Sequence, residues 1–139
     1  MGKEKRIMID TNIIIFLRKN RILRRATLFY DMAVSWVSLY EFLRGLYAIR
    51  KSSEEIKNIK RLIEKLYVIV WPSNKTIILL SEIWNSLRER GITIDDRDLM
   101  IGTLAIEHSM PLWTENIKDF KPMEKFGLTI IKPKLPDML

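Results

Sequence analysis

Five short apolar runs, each closed by a polar or glycine-bearing turn, are spaced along the chain with helix-period segments between them. That alternation leaves little choice of architecture. Strands separated by helices must be joined by crossovers, which sets them parallel in one sheet and lays the helices over it. The sequence therefore predicts an α/β fold with a mostly parallel, helix-covered sheet. The runs fall at residues 6–10, 33–37, 67–70, 111–113 and 127–131. Helical spacing covers 11–19 and 22–31 with a break near Asn20, and Ser38 opens a helix reaching about Arg50. In Ser52-Ser53-Glu54-Glu55 either serine serves as a helix cap, with the glutamates at the positive end of the dipole. Ile56, Ile59, Ile63 and Leu66 mark that helix's buried face. Ser73-Asn74 begins another helix that Gly91 stops, and Asp95 or Asp96 caps a further one to about Ser109.

With 139 residues, no repeat and no linker, the chain reads as one domain spanning 1–139. No apolar run approaches the roughly 20 residues that span a bilayer. Asp10-Thr11-Asn12 breaks the apolar stretch behind the charged N-terminus, a poor leader core, so a cytoplasmic location is expected. Cysteine is absent, which excludes disulfides, thiolate nucleophiles and cysteine–zinc sites. The single histidine, His108, cannot build a histidine-rich centre. An enzyme of this composition must work through carboxylates. The formal net charge of +7 favours polyanionic partners, nucleic acid first. Basic residues gather at Arg18, Lys19, Arg21, Arg24 and Arg25, and again from Arg44 to Lys65.

In open parallel sheets, sites form beyond the carboxyl ends of the strands. Asp10 directly follows the first run, Glu41 follows the second by about a helical turn, Asp98 opens the late helix, and Asp119 lies shortly after Trp113. Each has a structural reading: Asp10 as an N-cap, Glu41 as the capping-box partner of Ser38, Asp98 as a first-turn acid, Asp119 as a turn residue. Together at one end of a sheet, four carboxylates repel one another, and a divalent cation removes that penalty. Oxygen donors without His or Cys suit Mg²⁺ or Mn²⁺.

Met8-Ile9-Asp10-Thr11-Asn12, Ser35-Trp36-Val37-Ser38-Leu39-Tyr40-Glu41-Phe42-Leu43-Arg44-Gly45 and Asp96-Arg97-Asp98-Leu99-Met100-Ile101-Gly102 are ordered motifs. They continue into Thr114-Glu115-Asn116-Ile117-Lys118-Asp119-Phe120, and the set resembles PIN domains, especially VapC-type toxins, over nearly the whole chain. The resemblance implies a doubly wound α/β sandwich, with helices on both faces of the sheet, and endonuclease activity on RNA. It implies Asp10, Glu41, Asp98 and Asp119 as metal-binding catalytic acids, with Thr11, Asn12, Thr114 and Asn116 as supporting polar groups. It also implies a homodimer and a small antitoxin partner. Asp96 is a rival to Asp98, which is preferred because it directly precedes the apolar Leu99-Met100-Ile101 run. Gly102 stands where alanine is common and is expected to loosen its helix slightly. Trp36, Trp71, Trp84 and Trp113 are expected to pack in the core rather than stack on bases.

A non-catalytic, RNA-binding PIN-like domain is the alternative; it would share charge and fold but would not need all four acids. A haloacid-type phosphatase would want an aspartate at position 12, where Asn12 stands. A receiver domain would need an aspartate ending the third strand, where Trp71-Pro72 stands.

Overall fold

The computed structural model describes residues 6–135; the charged N-terminus weighed above lies, apart from Arg6, outside the described residues. Its elements are β1 (Ile7–Ile9), α1 (Thr11–Lys19), α2 (Leu23–Ala26), β2 (Met32–Ser35), α3 (Trp36–Ala48), α4 (Ser53–Leu66) and β3 (Val68–Val70). They continue with α5 (Asn74–Glu89), α6 (Asp96–Glu107), β4 (Leu112–Trp113), α7 (Ile117–Phe120), a 3₁₀ helix (Lys121–Phe126) and β5 (Ile130–Ile131). The strands form one parallel sheet in the order β3-β2-β1-β4-β5. The expected α/β architecture is present, with helices on both faces.

Side-chain alternation builds the two layers. Ile7, Ile9, Met32, Val34 and Trp113 face the core under α1, α3 and α4. Met8, Ala33, Val70 and Leu112 face the other core, where α5, α6 and Phe120 pack. With both faces covered, β1 and β2 have no exposed position, which is why they read as unbroken apolar runs. Ser73 and Thr76 of the α5 start hydrogen-bond Glu107 at the α6 end, so these two helices run antiparallel. Among the described residues no helix is long and apolar enough to cross a membrane.

Register is what positions a site. Ile9 pairs with Val34 on one side and Trp113 on the other. The next residues along the three strands, Asp10, Ser35 and Thr114, therefore come level at one edge. The Asp10 N–H continues the ladder by donating to the Trp113 carbonyl at 3.0 Å.

Three expectations of local structure fail. Residues 36 and 37 read as strand but form the first turn of α3, because the Ser35 hydroxyl accepts the Ser38 N–H at 3.1 Å and caps the helix there. Ser38 is thus not the cap, and Glu41 is not its capping-box partner. The helix expected over 22–31 shrinks to α2, since the Thr27 hydroxyl bonds back to the Arg24 carbonyl at 2.6 Å and closes the last turn. The segment after Asn116, expected as a turn, winds into α7 and the 3₁₀ helix, which Gly127 ends at φ 103°. Ser52 and Asp95 are the caps among the alternatives offered. Of the tryptophans, Trp113 lies in the first core and Trp36 is partly buried against the second, but Trp71 and Trp84 are exposed. Trp71 follows an edge strand, and Trp84 lies on the outer face of α5 beneath the Arg88 guanidinium.

Gly102 has a packing reason. A Cβ there would stand 2.3 Å from Sδ and 2.6 Å from Cε of Met123, which is fully buried. Gly102→Ala gains about 1 kcal/mol of helix propensity but overpacks the core at a cost of about 1–3 kcal/mol. Thermal unfolding of this variant should show a lower midpoint than wild type; an equal or higher one would mean that Met123 moves aside freely.

Candidate active site at the carboxyl edge of the sheet

Asp10 stands at the centre of the edge and does two jobs. As the N-cap of α1 its Oδ1 accepts the Thr11 N–H at 2.7 Å. Its Oδ2 accepts the Thr114 hydroxyl at 2.8 Å, and that hydroxyl oxygen in turn accepts the Asn116 N–H at 3.0 Å. The structural and functional readings of Asp10 are thus compatible: capping fixes one oxygen and the neighbouring strand fixes the other.

Because α3 begins at Trp36, Glu41 lies in its second turn and meets the first turn of α1. The Thr11 hydroxyl donates to Glu41 Oε1 at 2.9 Å. On the other side, Arg97 in the first turn of α6 donates from Nη1 to Glu41 Oε2 at 2.6 Å and from Nη2 to Asp98 Oδ1 at 3.4 Å. The side chains of Glu41 and Asp98 are 8% and 7% exposed, whereas that of Arg97 is 42% exposed. Of the two rivals, Asp98 is buried beside Asp10 and is the inward-facing acid, while Asp96 is exposed.

The structure thus brings together Asp10, Glu41, Asp98, Thr11 and Thr114, with Asn116 contributing through its backbone N–H. Asn12 is exposed, with no side-chain hydrogen bond among the described residues. Asp119 is exposed on α7, and its carboxylate has no hydrogen bond or ion pair to the other acids among the described residues. No three carboxylate or imidazole groups converge closely enough to cage a metal ion among those residues. His108 caps the far end of α6 and takes no part.

Arg97 was not singled out from the sequence. Its signal was there in the triplet Asp96-Arg97-Asp98, an arginine held between two acids. The guanidinium stands between Glu41 and Asp98 and supplies the site's internal positive charge, and these acids hold its proton more firmly than usual.

Burial pushes the Asp10 carboxyl above the ordinary aspartate value of 3.8, against the lowering effects of Thr114, the Thr11 N–H and Arg97; Glu41 adds to the rise. Burial likewise raises Asp98, Arg97 opposes it, and the neighbouring Asp10 charge pushes it further up. Desolvation and mutual repulsion outweigh one arginine. Two buried carboxylates short of positive charge, offering only hard oxygen donors, fit a Mg²⁺- or Mn²⁺-type cation and not a soft one.

Glu41 is also the meeting point of two grooves. One, of about 370 Å³, lies between α1 and α3 and is bordered by Ile15, Arg18, Lys19 and Ile49. The other, of about 470 Å³, lies between α3 and the start of α6.

A parallel five-strand sheet with these acids at its carboxyl edge is the arrangement of a PIN domain, and the PIN domain family model matches residues 7–124. The chain belongs to that family. It is 34% identical over 128 residues to Ribonuclease VapC1 of Methanocaldococcus jannaschii, covering 92% of this chain and 88% of that one. Its fold is similar to the VapBC-1 structure from nontypeable Haemophilus influenzae, with TM-score 0.76, 23% identity, and 91% and 97% of the two chains covered. It is also similar to VapBC-5 of the VapBC family of toxin-antitoxin systems, from Mycobacterium tuberculosis, with TM-score 0.62, 17% identity, and 91% and 99% covered.

Linkage gives the site a measurable signature. In the unfolded chain Asp10 and Asp98 ionise near 3.8, and in the folded chain they ionise higher. Between those values the folded state holds more protons, so the contribution of these two groups to stability is greatest below about 3.8 and is lost as pH rises through the folded values. Asp98→Asn should therefore unfold at a higher temperature than wild type at pH 7.5 in chelator. That gain should shrink as the pH approaches 4. An Asp98→Asn protein less stable than wild type at neutral pH would show that the Arg97 pairing outweighs the burial.

Proposed function

We propose that this chain is a divalent-metal-dependent endoribonuclease, the toxin of a toxin–antitoxin pair, with Asp10 and Asp98 holding the ion. The carrying observation is the pair of adjacent, buried carboxylates with raised ionisation and only one internal arginine to offset them. Glu41 and Asp119 are proposed as the flanking acids at the same edge. Thr11, Asn12, Thr114 and Asn116 are the proposed supporting polar groups. A Mg²⁺ or Mn²⁺ ion supplies Lewis acidity towards a phosphodiester and a water of lowered pKa.

The chain's own residues supply the rest. Thr114 and the Thr11 N–H fix both Asp10 oxygens, so the carboxylate keeps one orientation. The Thr11 hydroxyl holds Glu41 against α1. Arg97, partly exposed at the mouth, links Glu41 to Asp98 and holds a cation between these two acids. Arg18 and Lys19 border the groove that leads to Glu41, which sets basic side chains along one approach to the acids. The relative named Ribonuclease VapC1 supports the activity, and the likeness to VapBC structures supports a small antitoxin partner. A homodimer is part of the same proposal, as is a cytoplasmic site of action. The non-catalytic alternative gives no reason to bury two repelling aspartates.

Incubation with transfer, ribosomal and unstructured RNAs should show cutting in Mg²⁺ or Mn²⁺ that chelator stops. Asp10→Asn and Asp98→Asn should abolish it while the far-ultraviolet circular dichroism is retained. Cutting that persists in chelator and in both variants would overturn the reading. Binding of uncut RNA by Asp98→Asn should weaken steeply with salt. Replacing Lys19 or Arg21 by Ala should shallow the log–log slope by about 0.7 per residue if each neutralises one phosphate of a single strand. An unchanged slope would move the backbone contacts elsewhere.

A further inference from the structure

We infer that the groove between α3 and the start of α6 is a subsite for one unstacked nucleobase of single-stranded RNA, beside the phosphate at the carboxylates. This rests on the ribonuclease reading and names how that site selects its substrate. Trp36, Tyr40 and Arg44 follow at four-residue steps, so they form a single stripe along α3. The next stripe of that helix carries Val37 and Glu41. One wall of the groove is therefore aromatic and the end of the same wall is the acid site. Met100, with Asp95 and Asp96 before it, closes the opposite wall from α6.

The ring of Tyr40 is the platform. Tyr40 is 54% exposed. The Arg44 guanidinium sits 5.0 Å from its ring centroid and also donates to its hydroxyl at 3.2 Å, which holds the phenol in place. An exposed aromatic ring held by an arginine is the arrangement on which bases stack, and both planes offer a face. The volume of about 470 Å³ lies within the roughly 300–1,000 Å³ range of small-ligand sites.

Charge decides against the backbone as occupant. Glu41, Asp95 and Asp96 line the groove against Arg44 and Arg97, three acids to two bases, and Arg97 is already committed to Glu41 and Asp98. A phosphate would meet net repulsion there, whereas a neutral ring would not. Asp95 is engaged with the Arg97 N–H as the α6 cap. The Asp96 carboxylate has no hydrogen bond or ion pair among the described residues and accepts only. It favours a base edge with paired N–H donors, while Arg44 favours one with paired acceptors; guanine presents N1–H beside N2–H₂ for a carboxylate and O6 beside N7 for a guanidinium.

The test uses RNA spanning a mapped cut site, with 2-aminopurine substituted in turn at each nucleotide around the scissile bond. Bound to non-cleaving Asp98→Asn, one position should lose its fluorescence, and the loss should disappear in Asp98→Asn/Tyr40→Leu but persist in Asp98→Asn/Tyr40→Phe. In the otherwise wild-type enzyme, Tyr40→Leu should raise KM by about 5- to 150-fold, the span of one base–aromatic stack, with kcat little changed and the melting temperature retained. Asp96→Asn should flatten the preference for guanine at that same position. Tyr40→Leu with wild-type KM and wild-type base preference would overturn the inference while leaving the nuclease intact. A wild-type protein that cuts no RNA would remove the ribonuclease reading first, and this subsite with it.

Discussion

Two hydrogen bonds on one carboxylate organise the edge of the sheet. Asp10 takes the Thr11 N–H on one oxygen and the Thr114 hydroxyl on the other, so β1, α1 and the turn after β4 meet on a single side chain. Hydrogen bonds to a charged acceptor are worth about 1.5–3 kcal/mol each, while taking a carboxylate out of water costs several kcal/mol even after relaxation. Burial wins that contest at Asp10, since its carboxyl ionises above the ordinary value despite both bonds. Holding this group ionised therefore costs the fold stability, and the Asp10 charge in turn makes it harder for the neighbouring Asp98 to ionise.

Arg97 keeps that cost tolerable. By reaching from α6 to Glu41 on α3 it ties these two helices together, and it places a cation against Asp98. Because the guanidinium is 42% exposed, its attraction is partly screened, which is why one arginine does not restore either aspartate to its usual range. Residual repulsion between buried carboxylates is a common cost of sites that bind hard cations, and it separates this edge of the sheet from the rest of the molecule, where buried polar groups are mostly paired.

Much of this was legible in the residues. The run from Ile7 to Ile9 and the Asp10 that ends it read directly as a buried strand with an acid at the sheet edge, and so did Asp98 ahead of Leu99-Met100-Ile101. The failures arise where a single contact or a tertiary placement overrides the local pattern. Trp36 and Val37 carry strand-forming side chains, yet a single hydroxyl, that of Ser35, caps the chain into a helix two residues earlier than the apolar pattern predicts. That shift moves Glu41 from a local capping role to a long-range contact with Thr11. Similarly, nothing local in Trp71 or Trp84 says that they end on the surface; the edge position of β3 and the outward face of α5 do.

By itself, then, the sequence determined the alternation of strands and helices, the basic charge, the lack of soft metal ligands, and the positions of the acids relative to the strands. Periodicity and side-chain chemistry are local properties, and they survive without knowledge of neighbours. Only the tertiary structure decided that Ile9 lies level with Val34 and Trp113, and with that register which polar groups meet Asp10. It also decided that Arg97 reaches Glu41 while Asp96 stays exposed, and that Asp119 is exposed on α7. Those outcomes depend on strand order and helix docking, which bring together residues as far apart as Asp10 and Thr114, and no pattern within one segment encodes them.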